Sequence, residues 1–121
     1  MSRPPLRVTN RTRTRELGDR IAVADTRWTR LRGMLGRPEP APGEGLLIEP
    51  CRAVHMYGMR YPLDVLFLNP ERQVEAAYPA LAPGSRSGVH KGARFALELP
   101  AGTIQRTETR EGDQLEWNDP T

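Results

Sequence analysis

The stretch Pro62-Leu63-Asp64-Val65-Leu66-Phe67-Leu68-Asn69 decides how the chain folds. In an extended segment Leu63, Val65 and Phe67 point one way and Leu66 and Leu68 the other, so both faces are apolar. A strand buried on both faces belongs inside a sheet rather than at its rim. Asn69 to Arg72 then supplies a proline-containing turn, and Gln73 to Tyr78 is predicted to return as a hairpin partner. Further on, Phe95, Leu97 and Leu99 alternate in another strand with Glu98 on its opposite face. A helical turn is expected from Thr103 to Arg110, and a last strand around Leu115 and Trp117.

Upstream, residues 1 to 16 are polar, contain Pro4 and Pro5 and alternate Thr with Arg, which predicts a frayed, polar N-terminal tail leading into an early strand, ahead of one domain over residues 17 to 119. Leu17 to Ala24 carries a short strand. Asp25 or Thr26 can cap a helix over Arg27 to Leu35, because a side-chain oxygen there accepts from the first unpaired amides, and Gly36 would end it. Trp28, Leu31 and Leu35 share one face of that helix, and this apolar face is expected to dock on a sheet. Gly45 to Glu49 and Arg52 to Tyr57 suggest two short strands broken at Pro50. The fold class that follows is mostly β: a sandwich or jelly-roll-like barrel of about seven short strands with one clear short helix.

A chain of 121 residues is the size of one domain and can bury a core without disulfides or a metal. Its 12 prolines and 11 glycines break the chain into many short elements, which fits that reading. Cys51 is the only cysteine and cannot form an internal disulfide. No apolar run approaches the roughly 18 residues of a membrane span, and the opening residues lack a secretory signal, so a cytoplasmic, soluble protein is expected. The net charge of +3 divides unevenly, with +7 on residues 1 to 37 and −4 on the rest. Seventeen of the 18 basic residues are arginine, which suits bidentate contacts to phosphates or carboxylates. No recognition motif or stacking aromatic accompanies that charge, so nucleic acid is not the expected partner.

Four landmarks occur in order: Arg32-Gly33-Met34-Leu35-Gly36-Arg37, His55-Met56-Tyr57-Gly58-Met59-Arg60-Tyr61-Pro62-Leu63-Asp64-Val65, Leu97-Glu98-Leu99-Pro100-Ala101-Gly102, and Gly112-Asp113. Over about residues 20 to 117 the chain thereby resembles the domain of unknown function 192 family. The resemblance implies a compact β fold and carries over no catalytic residues.

Five residues are candidates for a polar cleft: Arg32, Arg37, His55, Asp64 and Glu98. Two carboxylates on strands of one sheet could face a shared cleft, and an acid and base pair is the minimum for hydrolysis. A half-buried carboxylate is more often neutralised by an arginine, here Arg32 or Arg37, or by backbone amides. Cys51, His55 and Met59 recur at spacings of four and form a donor set that copper(I) would accept. In an extended segment Cys51 and His55 stand about 13 Å apart at roughly 3.3 Å per residue, which argues against a metal, and no cofactor is expected. Ser85, Ser87 and His90 lie in a loop rich in Pro, Gly and Ser without the turn that a nucleophilic serine requires. The leading reading is a non-enzymatic binding or accessory domain for a small anionic or polar ligand or a protein partner, as a monomer or weak dimer. A small hydrolase using Asp64 and Glu98, and an RNA-associated protein using the arginine-rich N-terminal third, are the alternatives.

Overall fold

The computed structural model describes residues 4–118. The strands are β1 (Leu6–Asn10), β2 (Arg15–Ala24), β3 (Glu44–Ile48), β4 (Leu63–Leu68), β5 (Val74–Leu81), β6 (Phe95–Pro100) and β7 (Leu115–Trp117). Two short helices join them, α1 (Arg27–Arg32) and α2 (Thr103–Thr107). All seven strands form one sheet in the order β5-β4-β6-β3-β2-β1-β7. Only β2 and β3 run parallel, and α1 lies in the connection that a parallel pair requires.

The sheet curls into an open half-barrel. Its two edge strands meet at one end, where Gln73 bridges Gln114 and the Val74 amide donates to the Asp113 carbonyl at 2.9 Å. Leu17, Leu66, Leu97, Leu99 and Trp117 belong to the core on one face. Leu46, Ile48, Val65 and Phe67 belong to a second core on the other. Among the described residues no second sheet covers that second face. Loop residues do so instead, with Met34, Met56 and Ala93 buried against it and Cys51, Val54 and Met59 packed at its margin. The expected mostly β fold of seven short strands is present, as a single curled sheet with two helices.

β4 behaves as its alternation requires: all six residues are buried, Leu66 and Leu68 in one core and Leu63, Val65 and Phe67 in the other. Three other expectations are corrected. The early strand begins well inside the segment given to the tail: residues 6 to 10 are β1, hydrogen-bonded between β2 and β7 with Leu6, Val8 and Asn10 buried. Arg52 to Tyr57 forms no strand, and its isolated bridge, His55 to Arg86, joins it to another loop. The helix begins as expected at the Thr26 cap but ends at Gly33, and its Trp28 and Leu31 are exposed rather than docked on the sheet. Two turns of helix cannot carry residues 28, 31 and 35 on one continuous face, because the chain has left the helix before Leu35. The domain boundary expected at 119 lies outside the described residues. Among those described, no helix is long and apolar enough to cross a membrane.

Candidate functional site

Asp64 and Glu98 lie on neighbouring strands, yet the sheet separates them. Asp64 pairs with Leu99 and Val65 with Glu98, so with side chains alternating at every residue the two carboxylates point to opposite faces. They share no cleft, and the acid and base pair that hydrolysis would need is not assembled.

Asp64 is fully buried and fully engaged. Its Oδ1 accepts from the Ala80 amide and its Oδ2 from the Ile104 amide, both at 2.7 Å. Ile104 is in the first turn of α2, whose N-cap Gly102 has no side chain to offer, so Asp64 caps that helix from β4. Ala80 sits at φ +47°, a conformation disfavoured for a residue with a Cβ, and the Asp64 bond helps hold it. Neutralisation therefore comes from backbone amides and not from Arg32 or Arg37. Those arginines bond elsewhere, Arg32 Nε to the Leu35 carbonyl and Arg37 Nε to the Gly33 carbonyl, each at 3.1 Å.

Glu98 is the opposite case. It projects from β6 into the second face among Leu46, Val65 and the loop cover, and only 5% of it is exposed. Its Oε1 is buried and has no hydrogen-bond partner. Burial pushes the carboxyl up to about 7, against the weaker opposing pull of the Arg37 charge. Gly33, at φ +53°, carries the chain from α1 across this carboxyl, and a Cβ at that position would stand 3.6 Å from Oε1.

Above Glu98 the loop cover is incomplete. A cleft of about 210 Å³ opens between the α1 end of the chain and residues 51 to 59, with Glu98 among its walls. Arg32 and His55 also line it. Arg37 lines an adjoining hollow with Tyr61, whose hydroxyl donates to the Arg37 carbonyl at 2.9 Å. Four of the five candidate residues thus gather on one side of the sheet, and Asp64 is on the other. A larger hollow beside Pro5, Arg7, Asp19 and Trp117 is open and holds no unpartnered buried group, and Arg7 there pairs with Glu16 at 2.9 Å.

Because residues 52 to 57 are not extended, Cys51, His55 and Met59 line this same cleft, with Met34 and Met56 beside them. Burial pushes the Cys51 thiol up, away from the thiolate a metal would need, and its Sγ bonds the Ala53 carbonyl at 3.2 Å. His55 stacks on Tyr57 with ring centroids 4.8 Å apart, and its Nδ1 accepts from the Tyr57 amide. Among the described residues no three His, Cys, Asp or Glu side chains come together as a metal-binding group. His90 is engaged with the Tyr78 hydroxyl at 2.7 Å, and Ser87 Oγ donates to the Gly88 carbonyl, so these do not form a triad.

With this geometry in place, the comparison with known proteins is direct. The model of the family DUF192, described as uncharacterized ACR, COG1430, matches residues 8–117. The chain belongs to the DUF192 family. The DUF192 match starts inside β1, earlier than the landmarks suggested, in keeping with β1 being part of the sheet. A UPF0127 protein of Thermococcus sibiricus is 29% identical over 115 residues, covering 89% of this chain and 72% of that protein. UPF0127 protein PF1050 of Pyrococcus furiosus is 35% identical over 66 residues, covering 54% of this chain and 56% of that protein. Among solved structures, a protein of unknown function from Novosphingobium aromaticivorans has a TM-score of 0.79 at 25% identity, with 93% of this chain and 84% of that one covered. A Sinorhizobium meliloti protein, provisionally called a transcription regulator, has a TM-score of 0.76 at 28% identity, with 93% and 91% covered.

In this DUF192 chain the residues that the sequence did not single out are Arg30, whose Nε is buried without a partner, and the pair Met34 and Met56 on the cleft wall. The signal available for them was positional: they lie within or beside the family landmarks that carry Arg32 and His55.

Proposed function

We propose that this DUF192 chain is a binding domain whose occupant enters the cleft over Glu98. The observation that carries the reading is the unpartnered Oε1 of a nearly fully buried carboxylate at the wall of an open cleft. A buried acceptor without a donor costs about 1–3 kcal/mol, and an occupant bringing an N–H or O–H group recovers it. The other buried unpartnered group at this cleft, Arg30 Nε, asks for an acceptor. The same walls carry Met34, Met56 and Met59, flexible side chains that adapt to apolar matter. The favoured occupant is therefore a compact polar group with a donor on one side, an acceptor on the other and a small apolar body. A cleft of 210 Å³ is below the roughly 300–1,000 Å³ of ordinary small-molecule sites, which suits an occupant the size of a side chain.

The N-terminal arginines support a nucleic-acid role less well. Arg7, Arg11 and Arg13 pair with Glu16, Glu116 and Asp113, which leaves less free charge for phosphates. Arg3 lies outside the described residues. The regulator description of the Sinorhizobium relative fits a binding role without naming an occupant.

A fragment library of small amides, amines and carboxylates, mapped by amide chemical shifts, tests the reading. Hits should perturb Gly33, Cys51, Met56 and Met59 and be lost in Glu98→Leu, which fills the same space without an acceptor. Hits that map beside Arg7 and Trp117 and survive that substitution would contradict it.

A further inference from the structure

We propose that the mouth of the Glu98 cleft is a docking surface for an acidic segment of another protein, one residue of which enters the cleft. The inference rests on the binding reading above and names the partner's chemistry.

The large hydrophobic side chains exposed among the described residues are Trp28, Leu31, Leu35, Tyr57 and Val89. Leu31, Leu35 and Tyr57 line the Glu98 cleft itself. Tyr57 and Val89 line the hollow next to it, and Trp28 precedes Leu31 by one turn of α1. Trp28 is 68% and Leu31 75% exposed, although the sequence spaces them as a face to be buried. Exposed aromatic and aliphatic side chains clustered around a cleft mark an interaction site more often than singly scattered ones do.

Charge states what kind of partner fits. Arg27, Arg30, Arg32, Arg52 and Arg86 line the same cleft and its adjoining hollows, and no carboxylate among the described residues is in ion-pair contact with any of them. A basic, apolar face is complementary to a segment that alternates Asp or Glu with apolar residues, since carboxylates meet guanidinium groups with paired hydrogen bonds. The same charge opposes a second copy of this chain, which would bring arginine onto arginine. A lipid surface fits less well, because the cleft floor holds Glu98 Oε1 and Arg30 Nε, which need partners that hydrocarbon cannot supply. A protein segment supplies both from its own amide N–H and C=O groups.

The test is selection from a random linear peptide display library on the full chain at low salt. Selected peptides should carry two or more Asp or Glu around an aromatic or aliphatic residue. The strongest, made synthetically, should shift Trp28 emission to shorter wavelength, read in a Trp117→Phe background. Leu31→Ser should weaken binding about tenfold or more, as for a central interface residue. Its melting temperature should be unchanged, because Leu31 is already exposed. Selection of peptides without acidic residues, or equal binding to Leu31→Ser, would overturn the proposal. So would an equal Trp28 shift on vesicles of one part phosphatidylglycerol to three of phosphatidylcholine, or a stable dimer of the free chain by light scattering. If fragments map to Glu98 while no acidic peptide is selected, the docking proposal fails and the binding reading stands; if neither binds, both fail.

Discussion

Two buried carboxylates one register step apart, Asp64 on β4 and Glu98 on β6, have opposite fates in the same sheet. Asp64 faces the core that α2 closes, and receives two backbone amides. Glu98 faces the side covered by loops, and its Oε1 receives nothing. Burial is nearly equal, so it does not distinguish them; the supply of donors does. A carboxylate whose donors come from the fold holds the fold together. One whose donor is missing, beside an opening to solvent, is the feature on which the proposed binding role rests.

Removing the satisfied carboxylate should have the largest effect. Asp64→Ala strands two amides, at about 1–3 kcal/mol each, and should lower stability by about 4 kcal/mol in denaturant unfolding. Asp64→Asn retains one acceptor oxygen but turns an NH₂ donor toward the other amide, and should fall between wild type and Ala. Equal stability of Asp64→Ala and wild type would erase the contrast between the two sites.

Glu98→Gln should act in the opposite direction and only above acid pH. The Glu98 carboxyl is raised from 4.5 to about 7 in the folded chain, so the native state holds a proton that the unfolded state has released over this window. Stability from this group is fully present below about pH 4.5 and is lost as pH rises through about 7. The loss amounts to about 3 kcal/mol at 1.36 kcal/mol per pH unit. Glu98→Gln cannot titrate, so it should match wild type near pH 4.5 and exceed it at pH 8. A parallel pair of stability curves would mean that Glu98 is not held as described.

Asn10→Ala should cost less, about 1–2 kcal/mol, by removing donors to Asp113 at 3.0 Å and Thr109 at 3.1 Å while leaving Asp113 its Arg13 and Arg110 contacts. An unchanged melting temperature would show that β1 is not anchored through this contact. Smallest of all, a chelator should leave far-UV circular dichroism and melting unaltered, because the two cores need no metal. Loss of structure in chelator would restore Cys51, His55 and Met59 as a metal centre.

The sheet was legible where strands are apolar on both faces or alternate cleanly, as in β4 and β6. An early strand was expected, but its position at β1 was not legible, because Leu6, Val8 and Asn10 alternate over only five residues among arginines and threonines, and its partner β7 lies about a hundred residues away. Residues 52 to 57 mimic a strand through Val54 and Met56, yet both pack in the loop cover, and the Met56 amide donates to a loop carbonyl, Ser85, while those of Val54 and Tyr57 donate to the side chains of Ser87 and His55. Arg32, His55 and Glu98 were recognisable as polar residues on or beside apolar elements. That Asp64 faces away from them depends on pairing register, which no local pattern states. Trp28 and Leu31 carry a periodicity that promised burial, and the described residues offer them no surface to bury against.

The most direct test is a carbon-13 NMR titration of the Glu98 side-chain carboxyl in the free protein. A midpoint near 7 would show a buried carboxyl that the fold leaves without a donor, as an open binding cleft requires. A midpoint within the ordinary range of about 4 to 5 would mean that the group is solvated or already partnered, and would contradict the account.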